Sequence, residues 1–173
     1  MRKIVIFFCL IMITGFLNAQ VYLGLNSKIA FPTSNYQEVD NGMGVDLLIG
    51  YLLKQKMDFN ISISNLWLNS FIENYKISSV KANAKYYILQ KSIKPYIDFG
   101  LGYFHKSFNG PFDKKFAEKG IGIIPSAGIL FDLKIFNGLF LNTEFSYCKV
   151  LTEHKVSLIG FNIGILYYFE SKK

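Results

Sequence analysis

The chain has 173 residues, about one domain's worth, with 17% aromatic and 51% hydrophobic residues and a formal charge of +7. Its two cysteines, one of them inside the opening apolar run, make no disulfide scaffold, and no His, Cys, Asp or Glu set has metal-ligand spacing. No cofactor or metal is therefore expected, and positive charge scattered over turns and loops argues against nucleic acid as a partner.

Residues 1–19 differ in kind from the rest. Arg2 and Lys3 precede an unbroken apolar run, Ile4 to Ile13, which relaxes through Thr14 to Ala19 into smaller and more polar residues. That order predicts a secretory signal peptide cleaved after Ala19. The run is short of the ~20 apolar residues a spanning helix needs. Cys9 lies inside it, not at its end, which argues against a lipoprotein. Loss of Arg2 and Lys3 lowers the formal +7 to +5 and leaves Cys148 as the only thiol.

The mature chain then alternates with period two, the signature of strands whose successive side chains point to opposite faces. Val21, Leu23 and Leu25 alternate with Gly24, Asn26 and Lys28. Met43, Val45, Leu47, Ile49 and Tyr51 oppose Gly44, Asp46 and Gly50, and Met57, Phe59, Ile61 and Ile63 oppose Asp58, Asn60, Ser62 and Ser64. Val80, Ala82, Ala84, Tyr86 and Ile88 oppose Lys81, Asn83 and Lys85. From Pro95, Ile97, Phe99, Leu101 and Tyr103 oppose Asp98, Gly100 and Gly102. Three further strands follow. Ile121 to Phe131 runs against Gly122, Ser126 and Gly128, and Leu139 to Tyr147 against Asn142, Glu144 and Ser146. Phe161 to Phe169 runs against Gly160, Asn162 and Gly164.

These strands reach the ~9–11 residues that a tilted strand needs to cross hydrocarbon. Alternate links are tight (Lys54–Gln55, Lys91–Ile93, Lys134–Asn137), while the others are expected to be longer: Pro32–Asn41, Asn69–Tyr75, Lys106–Lys119 and Val150–His154. Sorting of links by parity is a feature of membrane barrels, with the longer links outside the cell. The apolar face is also too bulky to fill the narrow interior of a small barrel, whereas Gly, Ser, Asn and paired charges suit it. The expectation is an all-β, eight-stranded antiparallel up-and-down transmembrane barrel over residues 20–169, with a short polar tail at 170–173.

The C-terminal strand Asn162-Ile-Gly-Ile-Leu-Tyr-Tyr-Phe169 and the run Tyr96-Ile-Asp-Phe-Gly-Leu-Gly-Tyr103 resemble the small outer-membrane β-barrel family of the OmpX and OmpA transmembrane-domain type. The resemblance covers the whole mature chain. It implies location in the bacterial outer membrane and a C-terminal assembly signal, Asn162, Gly164, Tyr167 and Phe169, read by the barrel-insertion machinery. The chain departs from the pattern in continuing past Phe169 with Glu170, Ser171, Lys172 and Lys173.

An inward polar network of Lys28, Asp46, Asp58, Lys81, Lys85, Asp98 and Glu144 is expected to pair its charges, because isolated charge in a tight lumen is costly. A structural, adhesive or loop-binding role without catalysis follows, with a monomer as the unit and lipopolysaccharide or a protein touching the loops. Two alternatives stay open. One is a narrow porin-like pore. The other is a lipid A-modifying enzyme using His105 and Ser107, a His-x-Ser pair resembling that of the outer-membrane deacylases, with Glu118 as a third member. Phe108, Phe112 and Phe116 among Lys114, Lys115 and Lys119 suggest a loop able to touch phosphates, His154 stands alone in a short link, and Cys148 reads as an ordinary strand residue.

Overall fold

A computed structural model of the chain describes residues 20–33, 39–53, 56–70, 75–110, 114–151 and 156–169. The signal segment with its Ala19 junction, the 170–173 tail, Phe112 and His154 lie outside the described residues, as do the side chains of 108–110 and 114–116. The strands are β1 (Gln20–Pro32), β2 (Val39–Leu53), β3 (Met57–Ser70), β4 (Tyr75–Tyr87), β5 (Ile93–Gly110), β6 (Lys114–Asp132), β7 (Leu139–Leu151) and β8 (Val156–Tyr168). Each pairs antiparallel with its neighbour in sequence, and β1 closes on β8.

Closure follows from the residues facing out. Leu25, Leu47, Ile61, Leu101, Ile121 and Ile165 are each half or more exposed along the outer wall. A surface this apolar is stable only in hydrocarbon, where no water can satisfy a free strand edge. The β1–β8 register, from Tyr22 opposite Tyr168 through Lys28 opposite Asn162 to Pro32 opposite Leu158, removes that edge. Alternation then places Asn26, Lys28, Asp46, Asp58, Lys81, Lys85 and Asn162 inside, all buried.

The turn end of the barrel carries the β2–β3, β4–β5 and β6–β7 connections. Gly138, at φ 85°, closes the last of these; a Cβ there would strike the Tyr168 carbonyl, so only glycine fits. The loop end differs from expectation. Lys106–Lys119 is for the most part no loop but a hairpin in which β5 and β6 pair down to Gly110 opposite Lys114. The partner strands stop sooner: β4 pairs with β5 as far as Phe108, and β6 meets β7 only from Ile121. The hairpin therefore stands above the rest of the wall. Its described residues lack the greasy/polar alternation because the outward face is polar here, with His105 and Lys119, while the inward face holds the buried Lys106 beside Glu118.

Candidate functional site

The interior is built in layers. At the turn end, Tyr22, Leu48, Leu52, Tyr87, Tyr96, Leu130, Phe140, Leu166 and Tyr168 form one buried apolar cluster. At the loop end, Ala30, Leu66, Leu68, Tyr75, Ile77, Phe104, Ile124, Cys148, Val150, Val156 and Leu158 form another. Most of the buried polar residues lie between them, while Asp58 sits within the turn-end cluster and the buried Lys106, beside Glu118, lies at the loop-end one.

The bulky apolar face lies outside as expected, but a second set of rings that the alternation left unassigned, Tyr22, Tyr87, Tyr96, Phe104, Phe140 and Tyr168, points inward. They fit because glycines on the same or the adjacent strand vacate the space beneath them. Phe104 lies against Gly102 and Gly122, where a Cβ would meet its ring, and the rings of Tyr22 and Tyr96 cover Gly50 and Gly128 in the same way. Ring pairs tie the turn-end plug together: Phe140 and Tyr168 meet edge-on with centroids 5.1 Å apart, and Tyr87 and Tyr96 at 5.8 Å.

Charge pairing is more varied than a set of lysine–carboxylate bridges. Lys81 Nζ and Asp46 Oδ2 lie 2.8 Å apart as a buried ion pair. Asp58, fully buried, is held chiefly by tyrosines: Tyr22 donates to Oδ1 at 2.5 Å and Tyr87 to Oδ2 at 3.0 Å, while the Tyr168 hydroxyl sits 3.0 Å from that of Tyr87. Lys85 lies over the Tyr96 ring at 4.1 Å and acts electrostatically on both Asp58 and Asp98. Glu144 accepts from Asn162 Nδ2 at 2.8 Å and lies within 3.0 Å of the Tyr96 hydroxyl, which also reaches Asn142 Oδ1 at 2.8 Å. Lys28 lines the same layer, where it feels Asp46 and Glu144 but also the like charge of Lys81. The amide partners Asn142 and Asn162 sit on the polar face that sequence reasoning gave them, whereas the tyrosines on the same phase were missed because it sorted residues by bulk.

A cavity of about 30 Å³ remains at the centre of this layer, room for roughly two water molecules. Asn26 Oδ1, Asp46 Oδ1, Ser62 Oγ, Asp98 Oδ1 and Asn162 Oδ1 have no hydrogen-bond partner among the described residues, and all five side chains line it.

His105 and Ser107 lie on the outward phase of β5, near the loop end. Glu118 is on the inward phase of β6, 2.5 Å from Lys106 Nζ, so it is not placed to orient the histidine as a third catalytic member would be. In the C-terminal strand, Asn162 faces inward while Tyr167 and Phe169 face outward with edge-on rings 5.1 Å apart; Gly164 packs against Asn26.

No protein-family model matches the chain, and no curated protein matches it by sequence. Solved structures do match by shape. Neisserial surface protein A superposes with a TM-score of 0.71 at 16% identity, covering 88% of this chain and 99% of the other. The attachment invasion locus protein Ail of Yersinia pestis gives 0.60 at 17%, covering 87% and 97%. The N-terminal β-barrel domain of Pseudomonas aeruginosa OprF gives 0.58 at 14%, covering 87% and 100%. At these identities the likeness concerns architecture. With its closed ring of eight strands, lipid-compatible exterior and packed polar lumen, the chain has the fold of the small bacterial outer-membrane barrels, in line with the OmpX and OmpA transmembrane-domain type.

Proposed function

We propose that the protein is a non-catalytic barrel of the bacterial outer membrane whose work is done on its outside, by supporting the envelope and binding through its loop end. The observation that carries this reading is the filled lumen: apolar clusters pack toward both ends, and the described cavities, about 30 Å³ in the polar layer and about 20 Å³ between it and the loop-end cluster, each have room for only one or two waters. In this reading the inward charges are a seal and not an ion path. The enzyme alternative has little support, since His105 and Ser107 face outward and Glu118 is engaged by Lys106 on the other face.

The remaining parts of the proposal are a monomeric mature chain from Gln20, exported behind residues 1–19, with turns and chain ends in the periplasm and the β5–β6 hairpin outside. Asn162, Gly164, Tyr167 and Phe169 serve the barrel-assembly machinery as its signal. The partners are outer-membrane lipid, lipopolysaccharide, and a protein or polysaccharide at the loops. Ail, one of the structural neighbours, has been solved in complex with the heparin analogue sucrose octasulfate, which favours an adhesive use of such a rim.

Single-channel recording on the refolded mature protein tests the sealed lumen. Silent bilayers are expected, and stable conductance steps would overturn the reading in favour of a pore. Heat-modifiable migration on gels, with fractionation to the outer membrane, checks residence separately.

A further inference from the structure

The outer wall is not uniform around its circumference. On β3–β6 the register defines rows of outward neighbours. One row, Ile63–Val80–Tyr103–Ile121, is apolar throughout, and each member is at least 51% exposed. The next row toward the loop end, Asn65–Ser78–His105–Lys119, is polar throughout, with Ser78 Oγ donating to Asn65 Oδ1 at 2.8 Å. Beyond it, Lys76 stands between Trp67 and Ser107, its ammonium 5.7 Å from the centre of the exposed Trp67 ring. Lys149 on β7, opposite Ile123 and so two rows nearer the turn end than Lys119, adds another exposed cation beside β6.

Charge is sorted as well as polarity. The acids within β4–β7, namely Asp98, Glu118, Asp132 and Glu144, all fall on the inward phase, so among the described residues the outward side chains of these strands include Lys76, Lys119 and Lys149 but no acid. Across β8, β1 and β2 the outward positions are mainly apolar, as in Ile159 opposite Phe31 and Ile29 opposite Met43, with Ser27 and Asn41 as polar exceptions. Among the described residues, the outward lysines near the loop end therefore gather on β4–β7 and not on β8, β1 and β2.

A change from apolar to polar within a single row marks the level where hydrocarbon gives way to headgroups, since unpaired polar groups below it would be costly. Lys76 and Lys119 at or above that level, and Lys149 with its long side chain directed up the wall from beside Ile123, complement a ligand with phosphate on top and several fatty chains below. We propose that the β4–β7 face is a specific binding site for one phosphorylated outer-leaflet lipid, the lipid A part of lipopolysaccharide. Lys76, Lys119 and Lys149 hold its phosphates, His105 and Ser107 supply further donors, and Val80, Tyr103 and Ile121 receive its chains. This rests on the outer-membrane reading and gives the lipid partner a defined place on the barrel.

The test is native mass spectrometry of the mature protein refolded in phosphatidylcholine nanodiscs doped with lipid A. It compares wild type, the triple variant Lys76→Gln/Lys119→Gln/Lys149→Gln, and a control, Lys56→Gln/Lys91→Gln/Lys134→Gln, changed at the turn end. Each lysine near an anionic surface contributes about fivefold, so retention of lipid A falls on the order of a hundredfold in the first triple and little in the control. Equal loss or equal retention in the two triples overturns the site. So does equal binding of dephosphorylated lipid A by wild type, a comparison that decides the matter even if the first triple does not fold. Heat-modifiable migration separates the two ideas: a folded, inserted barrel that ignores lipid A sinks this inference alone, whereas a chain that never inserts sinks the membrane reading.

Discussion

Asp58 shows how much a single buried carboxylate organises. Its oxygens accept from Tyr22 and Tyr87, Tyr168 is joined through Tyr87, and Lys85 acts on it electrostatically. Replacing one member of such a set leaves the others buried without partners, which costs far more than losing one exposed contact. Asp58→Ala is expected to lower unfolding free energy by about 3–5 kcal/mol, read from urea titration in lipid vesicles. Tyr22→Phe, which removes one donor and keeps the ring over Gly50, should cost about 1–2 kcal/mol. Equal, small losses in the two variants would mean that Asp58 is not the centre of the network. The acids and lysines of this layer could be named from sequence because charge on a strand's small-residue face has only the lumen to go to. Their tyrosine partners were illegible. Whether a ring fits inside depends on a glycine one or more strands away, a contact that no local pattern records.

At the scale of the element, the β5–β6 hairpin behaves as an appendage. On its β6 side, Lys114 to Gly120 pairs with β5 alone among the described residues, so this stretch runs beyond the described wall as a strand edge. Lysines at 114, 115 and 119 are the kind of residue that keeps such an edge from recruiting another strand. Because wall pairing of β6 with β7 begins at Ile121, the ring does not need the tip. Replacing residues 108–116 with an Asn-Gly turn should leave heat-modifiable migration intact and shift the urea midpoint little; failure to form the compact species would place the tip in the barrel's own folding. Sequence reading assigned this stretch to a loop for a physical reason: strand signals in this chain come from lipid on one side, and that asymmetry ends where the hairpin rises clear of it.

For the whole molecule, the legible part was the ring. Alternation, strand length and short turns each follow from a tilted chain crossing hydrocarbon with its hydrogen bonds kept inside. The expected sorting of links by length proved to be partly a difference in strand extension, greatest in β5 and β6 at 18 and 19 residues. What the alternation cannot convey is the third dimension of the lumen, where apolar clusters pack toward both ends of a polar layer, or the uneven spread of outward lysines around the wall. Both arise from strands brought together only when β8 closes on β1.

Trp67 is the only tryptophan in the chain, and it projects from β3 at the upper margin of the apolar wall. The barrel consequently carries its own optical depth gauge. Emission should shift to shorter wavelength as the refolding chain enters vesicles, and lipids brominated close to the glycerol should quench it more than lipids brominated near the methyl ends. Stronger quenching from the bilayer midplane would displace the whole cylinder vertically, and with it the level assigned to Lys76.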